Sequence, residues 1–168
     1  KFWPGLHVVG KDILRFHAVY WPAFLMAADL EPPKRIFAHG WWTNEGQKIS
    51  KSLGNVIDPY DIINEYGLDQ IRYFLFREVP FGNDGDFSKK SISHRVNADL
   101  SNNYGNLIQR IFTFVKKNCD SVVSNNFTLN KEDKKILNES IIYYHKYINH
   151  MENLNIDKAL KEVFQLLS

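Results

Sequence analysis

The chain has 168 residues, 44% of them hydrophobic and 14% aromatic, a core-forming composition that excludes disorder and has room for one ordinary domain or for two pieces of a larger protein. A formal net charge of +2 excludes a global field that would draw in nucleic acid, so any such binding has to rest on a local face. The single cysteine, Cys119, excludes an internal disulfide and a cysteine-cluster zinc site, and it agrees with a reducing compartment.

Residues 6 to 9 form a short apolar, partly β-branched run closed by Gly10, and from 12 to about 28 apolar residues recur at helical spacing. This predicts a strand, a tight turn and a helix that Pro22 kinks or splits in two. Residues 34 to 42 alternate as a second strand, and an Asn, Glu, Gly turn within 43 to 47 leads into a lysine-rich loop. Strand, helix and strand in this order predict the closing part of a parallel α/β sheet. Two short helices, 60 to 66 and 68 to 79, follow, parted at Gly67, and 80 to 87 is a loop rich in Gly, Asn and Asp beside which a domain boundary is expected. Ser88 is placed to cap one long helix running to about 118, with an apolar stripe of Val96, Leu100, Tyr104, Leu107, Ile111 and Phe114. Its successor carries Leu137, Ile141, Tyr144, Ile148 and Met151, and a third helix from about 155 carries Ile156, Leu160, Val163 and Leu167. Spacings of three and four are those of antiparallel bundle helices. The expected fold is therefore α/β over 1–87 followed by all-α over 88–168. The chain starts at Lys1 without an initiator methionine and stops at Leu166, Leu167 and Ser168 with the amphipathic pattern still running, so an excerpt of a longer polypeptide is expected. With no signal peptide and no long apolar run, the expected setting is cytoplasmic, away from membranes.

Four groups of side chains carry chemistry. Lys48, Ile49, Ser50, Lys51 and Ser52 precede Gly54 and Asn55. The two ammoniums can face a phosphate chain as point charges, the two hydroxyls can donate to it, and Gly46 and Gly54 free the backbone to move. Taken alone, a short Lys/Ser stretch is more commonly a solvated loop. Gly10, Lys11, Asp12, Ile13 and His17 lie where a strand feeds a helix, the end of an open α/β sheet that holds ligands. Asp12 there either accepts ribose hydroxyls or simply caps the helix, whose start can face an anion. Ile13, His17 and Trp21 share one face at i, i+4 and i+8. That face either wraps a small apolar or thioether side chain while His17 bonds a polar group, or it belongs to the core with His17 tied to a backbone carbonyl. Asn102, Asn106 and Arg110 repeat the spacing on the long helix, centred roughly 110° from its apolar stripe, so they reach solvent. They either read the edges of unstacked RNA bases or form a solvated polar face. Arg95, Asn97 and Asp99 either pin that helix to the loop at Asp84 and Asp86 or form a rim of surface ion pairs. His7, His39, His94, His145 and His150 show no metal-ligand spacing, so no metal site is expected, and Tyr143, Tyr144 and Tyr147 have bundle spacing.

In order, Gly10-Lys-Asp-Ile with Phe16-His17, Trp21-Pro-Ala, His39-Gly, Lys48-Ile-Ser-Lys-Ser, Gly54-Asn-Val, Arg72-Tyr, Asp86-Phe, Arg95-Val-Asn-Ala-Asp-Leu and Asn106-Leu with Arg110 closely resemble the methionyl-tRNA synthetases. The match spans residues 6 to about 110, and its ordered set is specific within the class I aminoacyl-tRNA synthetases. The 48 to 52 loop resembles the second signature of that class, usually Lys-Met-Ser-Lys-Ser; Ile49 replaces one apolar side chain by another, which leaves the phosphate chemistry unaltered. The resemblance implies the end of a Rossmann-type catalytic domain over 1–87 and part of a helical anticodon-binding domain over 88–168. It implies ATP, taken as its Mg2+ complex, methionine and tRNA(Met) as partners, and no DNA. By motif position Lys51 leads ATP binding and Lys48 supports it, both counted as catalytic, with Ser50, Ser52, Gly10 and Asp12 also on the nucleotide. Ile13, His17 and Trp21 meet methionine, and Asn106, Arg110 and Asn102 the anticodon. The first class I signature, of the His-Ile-Gly-His type, and the inserted connective domain are not in these residues, so half of an ATP site lies elsewhere and the excerpt alone is expected to be inactive. Trp41 and Trp42 match no role in the pattern and are expected to pack the hairpin. Two alternatives stand beside this reading: a noncatalytic tRNA-binding module derived from such an enzyme, and a class I synthetase for another apolar amino acid.

Overall fold

The computed structural model describes residues 3–124 and 128–167; the expectations attached to Lys1 and Ser168 lie outside the described residues. The chain divides into two compact units, Lys1–Asp58 with Phe81–Phe87, and Pro59–Pro80 with Ser88–Ser168. This grouping differs from a single cut after Phe87, because helices 59–66 and 68–77 join the helical unit.

In the first unit β1 (Leu6–Gly10) and β2 (Arg35–His39) pair in parallel, from Leu6 opposite Arg35 to Gly10 opposite His39. A right-twisted strand needs a long crossover to reach a parallel neighbour, and here the crossover is helical. It starts as a 3₁₀ turn, Lys11–Ile13, widens into a π-helical segment, Phe16–Tyr20, and ends as α1 (Trp21–Ala27). Pro22 does not split the helix. The Trp21 amide reaches back five residues to the Phe16 carbonyl, and Pro22 enters just after that widened turn, where α1 begins.

The single strand expected over 34 to 42 is two strands in two sheets. Gly40 is buried between them, and a Cβ there would collide with the Asn83 carbonyl, so only glycine permits the two backbones to approach. Beyond it, β3 (Trp42–Asn44) pairs antiparallel with β4 (Gln47–Lys48) and parallel with β5 (Gly85–Phe87). The β3–β4 turn places Glu45 at φ 51° and Gly46 at φ 77°, the doubly left-handed geometry of a tight hairpin. Lys48 thus ends a strand, and 85–87 is a strand inside the expected loop. Both are too short to show a period of two.

The helical unit contains α2 (Pro59–Tyr66), α3 (Leu68–Arg77), α4 (Lys89–Arg95), α5 (Asn106–Asn118), α6 (Lys131–Glu152) and α7 (Ile156–Leu166). Gly67, at φ 93°, separates α2 from α3. Ser88 caps α4 as expected, its Oγ accepting the Ser91 N–H at 3.1 Å. Asn130 and Asp133 form a reciprocal capping box on α6. The path from α4 to α5 is helical throughout but passes through a π-helical segment, Val96–Gly105. Ile62, Ile71, Phe74, Ile92 and Ala159 are buried at the centre of the unit. Helices α6 and α7 run antiparallel: Lys146 and His150 lie 3.7 and 3.8 Å from Glu162, while Ser140, Tyr143, Tyr144 and Tyr147 share a pocket with Val163 and Leu166. The expected apolar stripes are less buried than their spacing predicts. Tyr104, Ile111 and Phe114 are exposed, as are Leu137, Ile141 and Tyr144. Spacing sets which side chains share a face, whereas burial requires another element laid against that face. Among the described residues no helix is long and apolar enough to cross a membrane.

Candidate functional site

The end of β1 and the start of β3 meet around Trp41. Gly10 occupies the cap position of the 3₁₀ turn, so Asp12 stands inside the turn and is not its N-cap. The Asp12 carboxylate folds back over Gly10, where a Cβ would come within 2.6 Å of Oδ1. That same oxygen accepts the Trp41 indole N–H at 3.4 Å. Lys11, beside it, donates to both Asp84 oxygens at 2.6 Å, and its ammonium lies 4.5 Å from the centre of the Trp41 ring. Asp84 also accepts the Trp41 backbone N–H at 2.8 Å. The hydrogen bond from Lys11, and after it the one from the Trp41 backbone, hold the Asp84 carboxyl below the usual carboxylate range.

Lys48, at the end of β4, places its ammonium 5.6 Å from the centre of the same indole ring. The loop beyond is stapled by one amide. Asn55 Oδ1 accepts the Ser50 N–H at 2.8 Å, Asn55 Nδ2 donates to the Lys48 carbonyl at 3.0 Å, and the Asn55 carbonyl accepts from Asn44 Nδ2 at 3.0 Å. Ser50 and Ser52 share a hydrogen bond of 2.7 Å between their hydroxyls. Lys51 starts a 3₁₀ turn, Lys51–Leu53, which closes on Gly54 at φ 65°, and its side chain is exposed. The structure thus brings Gly10, Asp12 and Lys48 around one tryptophan, with Ser50, Lys51 and Ser52 on the stapled loop that Lys48 opens.

Of the expected apolar face, Ile13 is exposed while His17 and Trp21 are half-buried. His17 Nδ1 lies 3.0 Å from the Ile13 carbonyl, which can only accept, so that nitrogen donates and Nε2 is the tautomer's open acceptor. The His17 and Trp21 rings meet edge-on at 5.8 Å, and Trp21 also packs edge-on against His7 at 4.9 Å and Trp3 at 5.5 Å. Sequence spacing reveals the first pair; Trp3 and His7 join only because β1 runs beside this crossover.

Within the helical unit, Asn102 and Asn106 stand on either side of the junction between the π segment and α5, and both are exposed with Arg110. The Asn106 amide donates to the Asn102 carbonyl at 3.0 Å. The three line an open groove of about 460 Å³ with Ala98, Asn103, Leu107 and Leu167. Arg95 finds neither expected arrangement: it donates to Glu78 at 3.0 Å and Asp99 at 3.3 Å, largely shielded from solvent. Asp86 accepts from Thr43 Oγ1 at 2.6 Å and the Gly46 N–H at 2.7 Å. Among the described residues no three His, Cys, Asp or Glu side chains cluster in a way that could hold a metal ion.

Sequence reasoning missed Trp41, Asp84 and Asn55 as parts of the site. The expected hairpin packing falls to Trp42, whose ring meets Phe87 at 6.3 Å, while Trp41 is 43% exposed. Asn55 carried a signal, since it follows Gly54 directly; Trp41 and Asp84 are 43 positions apart and no local pattern joins them.

Residues 1–112 match the family described as tRNA synthetases class I (M). The chain is 56% identical over 171 residues to a methionine--tRNA ligase of Rickettsia conorii, covering 99% of this chain and 34% of that protein. It is 49% identical over 168 residues to a methionine--tRNA ligase of Mesorhizobium japonicum, covering 100% of this chain and 33% of the other. A Mycobacterium tuberculosis methionyl-tRNA synthetase solved in complex with methionyl-adenylate superposes with a TM-score of 0.91 at 47% identity, over 99% of this chain and 33% of that one. The free form of the Mycobacterium tuberculosis enzyme gives a TM-score of 0.86 at 43% identity, over 99% and 32%. The chain spans about a third of the length of the relatives it matches.

Proposed function

The chain belongs to the class I tRNA synthetases (M), and we propose that the full-length protein carrying it is a methionine-tRNA ligase of the cytoplasm. The observation that carries this reading is the likeness, at 49 to 56% identity across almost the whole chain, to proteins named methionine--tRNA ligase. In the first half-reaction the methionine carboxylate attacks the α-phosphorus of ATP, a P–O bond forms, and pyrophosphate leaves. In the second, a ribose hydroxyl at the 3′ end of tRNA(Met) attacks the adenylate carbonyl, and AMP leaves. ATP enters as its Mg2+ complex, so that ion is part of the substrate.

Phosphoryl transfer of this kind asks little covalent chemistry of the protein and much electrostatics. Lys51 and Lys48 oppose the charge that builds on the phosphates, and Ser50 and Ser52 donate to it. The loop that holds them spans Gly46 to Gly54, both at positive φ, with open space around each α-carbon. Asp12 takes the ribose over Gly10, a place that a larger residue would fill. Ile13, His17 and Trp21 form the methionine side, with His17 Nε2 available to a polar group. Asn102, Asn106 and Arg110 face the anticodon along the open groove of the helical unit. The first unit is then the end of a Rossmann-type domain, a reading supported by the parallel β1–β2 pair with its helical crossover, and the second is part of an anticodon-binding bundle.

The test is methionine-dependent ATP–pyrophosphate exchange by the full-length protein. Lys51→Ala is expected to cut it by about two orders of magnitude, the scale of losing one charged transition-state contact. Exchange unchanged in that variant overturns the assignment of Lys51, and exchange driven by leucine or isoleucine in preference to methionine overturns the reading.

A further inference from the structure

We propose that Trp41 is a positioning residue of the ATP half-site, aiming the Asp12 carboxylate with its indole N–H and holding the Lys11 and Lys48 ammoniums with its ring. The inference rests on the reading of this site as an ATP site. Three observations carry it. The Nε1–H donates to Asp12 Oδ1 at 3.4 Å, the carboxylate already confined over Gly10. The ammoniums of Lys11 and Lys48 lie 4.5 and 5.6 Å from the ring centre, within the range where an indole face attracts a cation. The residue is itself clamped, because Asp84 accepts the Trp41 backbone N–H at 2.8 Å and grips Lys11 at 2.6 Å, which closes a circuit from backbone to ring.

Trp41 is 43% exposed, too open for a core residue, and the hairpin is packed by Trp42 against Phe87 without it. A large aromatic ring held in one orientation at a surface, with an acid on its N–H and cations on its ring, does what a nucleotide needs before it binds. It keeps the ribose acceptor in one rotamer and keeps Lys48, the first lysine of the 48 to 52 loop, beside the β1 turn. The ordering of those groups is then complete before ATP arrives, which lowers the cost of binding. Only tryptophan supplies both the donor and the strongest cation-attracting face. Phenylalanine keeps the face and loses the donor; leucine loses both.

The experiment uses the full-length protein and ATP–pyrophosphate exchange with ATP and methionine varied separately. Trp41→Phe is expected to raise the KM for ATP about three- to ten-fold, with kcat and the methionine KM unchanged and the unfolding midpoint unmoved. Trp41→Leu is expected to raise the ATP KM further and to lower kcat, since Lys48 then loses its place. An unchanged ATP KM in both variants overturns the proposal, and so does a parallel loss in ATP and methionine constants with a lowered unfolding midpoint, which is the mark of a merely structural residue. Lys51→Ala, run beside them, separates the two failures. If it leaves exchange intact, the ATP site itself is misassigned; if it abolishes exchange while both Trp41 variants are silent, only the role of Trp41 falls.

Discussion

The Tyr73 hydroxyl donates to Asp99 Oδ2 at 2.7 Å, and Asp99 also meets Arg95 at 3.3 Å and Arg77 at 3.7 Å. Burial, and then the bond to Asp99, push the phenol well above its ordinary pKa. A group whose folded-state pKa is raised contributes stability that is fully present below its unfolded value and is lost as pH rises toward the folded one. The unfolding free energy is therefore expected to fall from about pH 10 upward, the ordinary phenol value. Tyr73→Phe is expected to flatten that fall while costing about 1 kcal/mol at neutral pH, the net worth of one hydrogen bond; denaturant titrations from neutral to alkaline pH check both. The same scale shows what sequence conveys about a site. Lys48, Ser50, Lys51 and Ser52 stand out as candidates in the sequence because their chemistry is contiguous. Trp41 does not, because its partners Asp12 and Asp84 are 29 and 43 positions away.

Among the elements, the junction between β2 and β3 decides the most. Gly40 lets the backbone turn out of one sheet into the other within touching distance of Asn83, and that turn delivers Trp41 to Asp84 and Asp12. Gly40→Ala is expected to destabilise the unit by more than about 2 kcal/mol, the range in which buried overpacking falls, and to raise the ATP KM along with it. Thermal unfolding and exchange kinetics on the full-length variant measure the two effects; an unmoved melting temperature contradicts the role given to the glycine. The helices were more legible than the strands. Ser88 as a cap and Gly67 as a break act through local backbone chemistry and stand where expected. The π segments at Phe16–Tyr20 and Val96–Gly105 have no local signature of that kind.

On the scale of the molecule, the β1–β2 pair is a parallel sheet of two strands among the described residues, and Leu6 and Val8 on it are each 47% exposed. Parallel strands are ordinarily covered on both faces, and the exposed rings of Phe16 and Phe24 on the crossover have the same need. The chain also spans about a third of its relatives and contains no first class I signature. The 168 residues by themselves are thus expected to bind a hydrophobic dye strongly and to give no methionine-dependent exchange; robust exchange by this chain alone refutes the division of the ATP site proposed above. The sequence alone determined the succession of strand, crossover helix, strand and helices, the lysine and serine loop, and the family, because spacing, caps and contiguous motifs are local quantities. Only the tertiary structure decided that one strand is two and that Trp41 joins Asp12, Lys11 and Asp84. Those facts depend on backbones far apart in the chain coming into contact, and no local pattern encodes the contact.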